Sequence, residues 1–128
     1  FGAGTPAASL ATENWTTHHF LYFLRHLPVQ LKPVRLADLD RVFGFTNTRN
    51  SEILHDWLLL SVKVRYSRID DALEEFLVRQ GRRKFLVPLY GELARSREGL
   101  ETARRIYAQA RPGYHGISRR SVEELLGD

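Results

Sequence analysis

Apolar residues recur along most of this chain every three or four positions, the period of an α-helix with one buried face. From Thr16 to about Leu27 the stripe is Phe20, Phe23, Leu24 and Leu27, with Thr16 or Thr17 placed to cap the first turn and Pro28 to end the run. A second stripe, Leu36, Leu39, Val42 and Phe43, follows Pro33 and stops at Gly44, which takes a left-handed helix end cheaply. Hydroxyls and amides from Asn47 to Ser51 precede a wide apolar arc of Ile53, Leu54, Trp57, Leu58, Leu60 and Ser61, predicting a largely buried helix to about Val64. Ser67 and Asp70 resemble a capping box ahead of Ile69, Leu73, Phe76 and Leu77, a run that ends at Gly81. The fifth helix carries Phe85, Leu86, Leu89, Tyr90 and Leu93, with Pro88 tolerated if it falls in the first turn. Ser96 caps a sixth helix with Leu100, Ala103, Ile106, Tyr107 and Ala110, closed by Pro112 and Gly113. Ser118 is placed to cap a seventh, with Val122, Leu125 and Leu126, ending at Gly127.

Seven short helices and no alternating strand pattern give an all-α fold, as antiparallel neighbours or as helix pairs stacked in a small solenoid. No fixed repeat period is present, so irregular stacking is expected. Residues 1–14 are small, Gly- and Pro-containing and aperiodic, and read as a leader or interdomain linker before a folded domain over 15–128. Trp57, Phe20, Phe23, Phe76 and Tyr107 fall on the apolar stripes and are expected in the core. Tyr90 is left between core and cleft.

Composition narrows the chemistry. The 128 residues include no cysteine, which removes disulfides, thiolate metal sites and cysteine nucleophiles and favours the cytoplasm over a secreted setting. There is no methionine either, and the chain opens Phe1-Gly2-Ala3-Gly4, as expected of a fragment, a processed chain or an excised domain. The apolar run Trp57 to Leu60 is far short of the roughly 20 residues a membrane helix needs. The net charge of +4 comes from 19 basic and 15 acidic residues interspersed along the chain, without the clustering or module motifs of a nucleic-acid binder.

Catalytic signatures are missing. No H-E-x-x-H occurs, and of the five histidines only His19 and His26 share a face, two turns apart, so no metal site is expected in this chain. The acid pairs Asp70-Asp71, Glu74-Glu75 and Glu123-Glu124 diverge around their helices among arginines and read as solvated surface. No phosphate loop or G-x-S-x-G serine is present. The one cluster that stands out is Arg79, Arg82, Arg83 and Lys84 around Gly81. Such cations complement the negative end of the preceding helix. Alternatively, Gly81 makes a corner from which Arg82 and Lys84 meet one anionic group, the arginine as a planar fork and the lysine as a point charge.

Two runs carry a resemblance. Asn47-Thr48-Arg49-Asn50-Ser51-Glu52-Ile53 with Asp56-Trp57-Leu58, and Gln80-Gly81-Arg82-Arg83-Lys84-Phe85-Leu86-Val87-Pro88-Leu89-Tyr90, resemble segments of the C-terminal domain of leukotriene A-4 hydrolase and aminopeptidase B. The ending, from Ala103 to Tyr107 and on to His115 and Ser118, is similar to that family's last helices, and the likeness spans about residues 15 to 126. It departs where the family's arginines flank the tryptophan, since this chain has Leu54, His55 and Asp56 there. The resemblance implies a two-layered, armadillo- or HEAT-like helical domain that packs on a thermolysin-like catalytic metallopeptidase domain and walls its cleft. It also implies zinc in that other domain and none here, with this chain inactive alone. Arg82 and Lys84 would hold the carboxylate of a peptide or of a fatty-acid epoxide. The rival expectation is a free-standing helical-repeat module binding a protein or acidic peptide on its concave face.

Overall fold

The computed structural model describes residues 15–27 and 31–127. Among them are seven α-helices and no strand: α1 (Thr17–Arg25), α2 (Pro33–Phe43), α3 (Ser51–Val64), α4 (Asp70–Arg79), α5 (Arg83–Leu93), α6 (Arg97–Ala110) and α7 (Gly116–Leu126). The expected leader over 1–14 and the helix-ending Pro28 lie outside the described residues. The chain divides into two compact units, one ending at Ile69 and the other starting at Asp70.

In the first unit α1 and α2 pack on α3, whose Trp57 and Leu58 are fully buried. Asn50 caps α3 by accepting from the amides of Glu52 and Ile53 at 3.0 and 3.1 Å. Its other end closes on Arg65 with φ 62°, a left-handed residue that is not glycine. The Tyr66 amide returns to the Ser61 carbonyl at 2.9 Å, which satisfies an otherwise orphaned acceptor. Gly44 ends α2 at φ 63°, as its sequence position predicts. A polar knot fastens the α2–α3 connection: Asp40 accepts from the Thr46 amide, the Thr46 hydroxyl and the Tyr66 hydroxyl, while the Trp57 indole N–H donates to Thr46 Oγ1 at 2.9 Å.

The expected stripe on α1 is shifted. Leu21 and Leu24 are buried, whereas Phe20 and Phe23 are only half-buried. The two rings lie on the flank of the inward face, edge-on to Trp15 at 5.1 and 5.4 Å between centroids. The period was right and the centre of the face was one residue away: Phe20 packs edge-on against Phe43 and Phe45 as well as Trp15, while Phe23 meets Trp15.

In the second unit α4 packs on α6, and α5 packs on both α6 and α7. Its core contains Phe76, Leu77, Leu86, Leu89, Tyr90, Ala103, Ile106 and Val122. Ser96 caps α6 through the Gly99 amide at 3.0 Å. Gly99 is required there, since a Cβ would fall 2.1 Å from the Leu93 carbonyl oxygen.

Three boundaries differ from expectation. Ser67–Ile69 forms a 3-10 turn, so α4 begins at Asp70 rather than on a Ser67 capping box. Pro88 is the sixth residue of α5 instead of lying in its first turn, where the ring removes the amide that a mid-helix residue normally donates. Helix α7 starts at Gly116 behind His115, because Ser118 Oγ donates to the Gly81 carbonyl at 3.1 Å and does not cap.

Candidate functional site

The basic corner lies between α4 and α5. Helix α4 stops at Arg79 and α5 starts at Arg83, leaving Arg82 as the residue before the first turn, with φ −79° and ψ 120°. Gly81 does not occupy the left-handed region, and a Cβ on it would meet nothing within 4 Å. The corner therefore does not depend on glycine's conformational freedom, contrary to the sequence expectation. Only Arg79 sits in the last turn of α4, where a cation complements the helix end. Arg82, Arg83 and Lys84 stand instead at the positive end of α5, and no side chain caps that end and no acid occupies its first turn.

Such an arrangement is locally unfavourable. The first amides of a helix have no intrahelical acceptor and carry partial positive charge, so three cations added there repel the helix end and one another. No acidic residue occurs in the sequence from Phe76 to Gly91. Two of the cations lie over an aromatic ring: Arg82 Cζ is 5.8 Å and Lys84 Nζ 4.9 Å from the centroid of Phe85. Phe85 is 2% exposed and packs edge-on to Phe76 at 5.7 Å, so the ring is a fixed platform. Arg82 and Lys84 themselves are exposed. The structure thus brings both expected residues to one ring. Arg83 turns elsewhere, its Nε donating to Ser121 Oγ on α7 at 2.8 Å.

Most other arginines with contacts in the structure are committed to acids or carbonyls. Arg25 meets Asp56, Arg41 meets Asp38, Arg105 meets Glu74 and Arg111 meets Glu123, while Arg104 and Arg119 donate to the carbonyls of Leu126 and Tyr114. At the departure from the family pattern, buried Asp56 joins His55 Nδ1 at 2.9 Å and Arg25 Nε at 2.6 Å. An arginine from α1 thereby supplies positive charge beside the tryptophan segment from another helix.

Behind the corner lies a tyrosine network. Tyr114 donates to the Leu77 carbonyl at 2.5 Å, so in its 3.0 Å contact with Tyr90 the Tyr90 hydroxyl is the donor. Burial pushes the Tyr90 phenol far above its ordinary range and that of Tyr114 up to about 12. Tyr90, open between core and cleft in the sequence, is fully buried. Tyr107 is pushed up to about 12 by burial and by the Glu123 carboxylate it donates to. Glu123 in turn is held below the usual carboxylate range by the Tyr107 hydroxyl and by Arg111. The Tyr107–Glu123 contact fastens α7 to α6, while Tyr114 ties the segment ahead of α7 to α5 and α4, and none of these groups is exposed as a reacting group would be, apart from the Glu123 edge.

Sequence reasoning missed three contributors: Phe85 as the platform, and Ser118 and Ser121 as tethers. Phe85 was legible only as a core residue, and the serines lie 37 and 38 positions from their partners, beyond any local pattern. Among the described residues no group of three or more His, Asp or Glu side chains is placed to hold a metal ion, so no step of chemistry is assigned to a metal on these residues. None of the described helices is long and apolar enough to cross a membrane.

Comparison with known proteins agrees with the motifs. The leukotriene A4 hydrolase C-terminal family matches residues 15–126. A leucine aminopeptidase 2 from Neurospora crassa is 25% identical over 126 residues, covering 96% of this chain and 18% of that protein. A leucine aminopeptidase 2 from Aspergillus niger is 28% identical over 117 residues, covering 89% of this chain and 19% of that protein. The chain spans less than a fifth of the length of these curated relatives. With a match across nearly all of its described residues, the chain belongs to the leukotriene A4 hydrolase C-terminal family.

Proposed function

We propose that this chain serves a zinc aminopeptidase as the helical domain that packs on the catalytic domain, walls the substrate cleft and anchors the substrate's carboxylate through Arg82 and Lys84. The observation that carries the reading is the start of α5, where two exposed cations rest on one buried ring and the helix end has no cap of its own. A carboxylate arriving there meets two cations and a helix end that no side chain caps. Arg82 offers a fork that takes both oxygens, and Lys84 adds a point charge. Anchoring one end of a peptide restricts where its other end lies, which converts binding energy into orientation of the scissile bond. The zinc and the bond-breaking groups belong, in this reading, to the catalytic domain, and the chain alone is inactive. The two-layered armadillo- or HEAT-like stacking and the cytoplasmic location go with the same proposal.

Support for a domain over a free-standing adaptor comes from the two relatives, both named as aminopeptidases and both carrying the matched region within a much longer protein. The test is Arg82→Ala in the full-length protein. A charge-assisted hydrogen bond contributes about 1.5–3 kcal/mol, so kcat/KM for a tripeptide with a free C-terminus should fall about 10- to 100-fold. The matching C-terminal amide should lose far less. An unaltered kcat/KM for the free acid would refute the anchor.

A further inference from the structure

Residues 81–84 divide by parity. Arg82 and Lys84 lie over the Phe85 ring, while Gly81 and Arg83 are bound to α7. Ser118 Oγ donates to the Gly81 carbonyl at 3.1 Å, and Ser121 Oγ accepts from Arg83 Nε at 2.8 Å. The two serines are three residues apart on α7 and therefore share one face of it. Ser118 is 6% exposed, so its hydroxyl is committed to this bond and is not competing with water. The Gly81 carbonyl belongs to the planar peptide unit that leads into Arg82, and fixing that plane fixes the Arg82 N and Cα from which, at φ −79°, the side chain departs. The Ser121 bond draws aside the third cation, which would otherwise crowd the other two at the same helix end. Nothing in the backbone of Gly81 itself enforces the corner, since it is neither left-handed nor sterically confined. The geometry comes from α7.

We infer that Ser118 and Ser121 are positioning residues that set the register of Arg82 and Lys84 for their anion, an inference that rests on the carboxylate-anchor reading. Helix α7 is itself firmly seated, with Tyr107 and Arg111 of the α6 region on Glu123 and Arg104 on the Leu126 carbonyl. The tethers thus transmit the position of a fixed helix to the corner.

The experiment compares Ser118→Ala, Ser118→Thr, Ser121→Ala and Arg82→Ala in the full-length protein, each assayed on one tripeptide as the free acid and as the C-terminal amide. Loss of one neutral hydrogen bond corresponds to a change of about 2- to 10-fold. The alanine variants of both serines should raise KM for the free acid by that factor, with kcat and the KM of the amide unchanged. Ser118→Thr, which keeps the hydroxyl, should restore the parent KM. Equal losses on acid and amide would mean the serines merely hold the fold together and would overturn the inference. So would unchanged kinetics in both serine variants alongside a large, acid-selective loss in Arg82→Ala, which would leave the anchor standing. An Arg82→Ala variant that fails to distinguish acid from amide would remove the anchor reading and the inference with it. Should Ser118→Ala not fold, the half-buried Ser121 still decides the matter.

Discussion

Helix α3 opens on Asn50, whose side-chain oxygen accepts two first-turn amides, and has Glu52 in that turn; helix α5 opens on Arg82, with no side-chain cap and three consecutive cations. Past their first turns the two helices are alike, since Trp57 and Leu58 in one and Leu86, Leu89 and Tyr90 in the other are completely buried. The difference is confined to the ends. At α3 the orphan amides and the helix dipole are satisfied from within the chain, and that end is structural. At α5 no side chain caps the end and its first turn carries cations and no acid, an arrangement that costs stability and is retained where a ligand completes it. A local rule broken on an otherwise well-packed helix is a sharper pointer to a site than a count of charges.

The largest expected effects test whether the bodies of the two helices are as similar as they look. Leu58→Ala and Leu89→Ala should each cost about 2–5 kcal/mol, read as a lowered urea midpoint, because each empties a fully buried site. A trivial loss at one of them would place the contrast in the bodies and not at the ends. The next effect concerns the ends directly. Asn50→Ala should cost about 1 kcal/mol through the lost cap, whereas Arg82→Asp should leave stability unchanged or raise it by up to about 1 kcal/mol, because it gives α5 the acceptor and negative charge it lacks. If Arg82→Asp destabilised the chain as much as Asn50→Ala does, the α5 end would be structural too.

The smallest effect is the pH dependence carried by Glu123, which helps seat the helix bearing the two serine tethers. Its carboxyl is held below the usual range in the folded chain, first by the Tyr107 hydroxyl and then by Arg111. The folded form therefore binds that proton less readily than the unfolded form. The contribution is complete above the ordinary carboxylate range and is lost as pH falls through it to the depressed folded value. Urea midpoints followed from pH 6 to pH 3 should drop less steeply in Glu123→Gln than in the parent. Parallel slopes would show that Glu123 does not help hold α7.

Periodicity, caps and stop signals in the sequence alone determined the all-α class, the number of helices, the Gly44 and Gly127 ends, the Ser96 cap, a cap for α3 somewhere from Asn47 to Ser51 and most of the core, because these depend on neighbours within one or two turns. The family and the two corner cations were legible as well, carried by contiguous motifs. Other features waited on the tertiary structure. Phe20 shifted to the flank of α1, where the Phe43 and Phe45 rings took it up, and Pro88 was accepted in mid-helix. Ser118 gave up a capping role for a carbonyl 37 residues away, and Arg83 parted from its neighbours to reach Ser121. A short polar side chain has several partners of similar free energy within reach, and only the packing of α7 beside α5 selects among them.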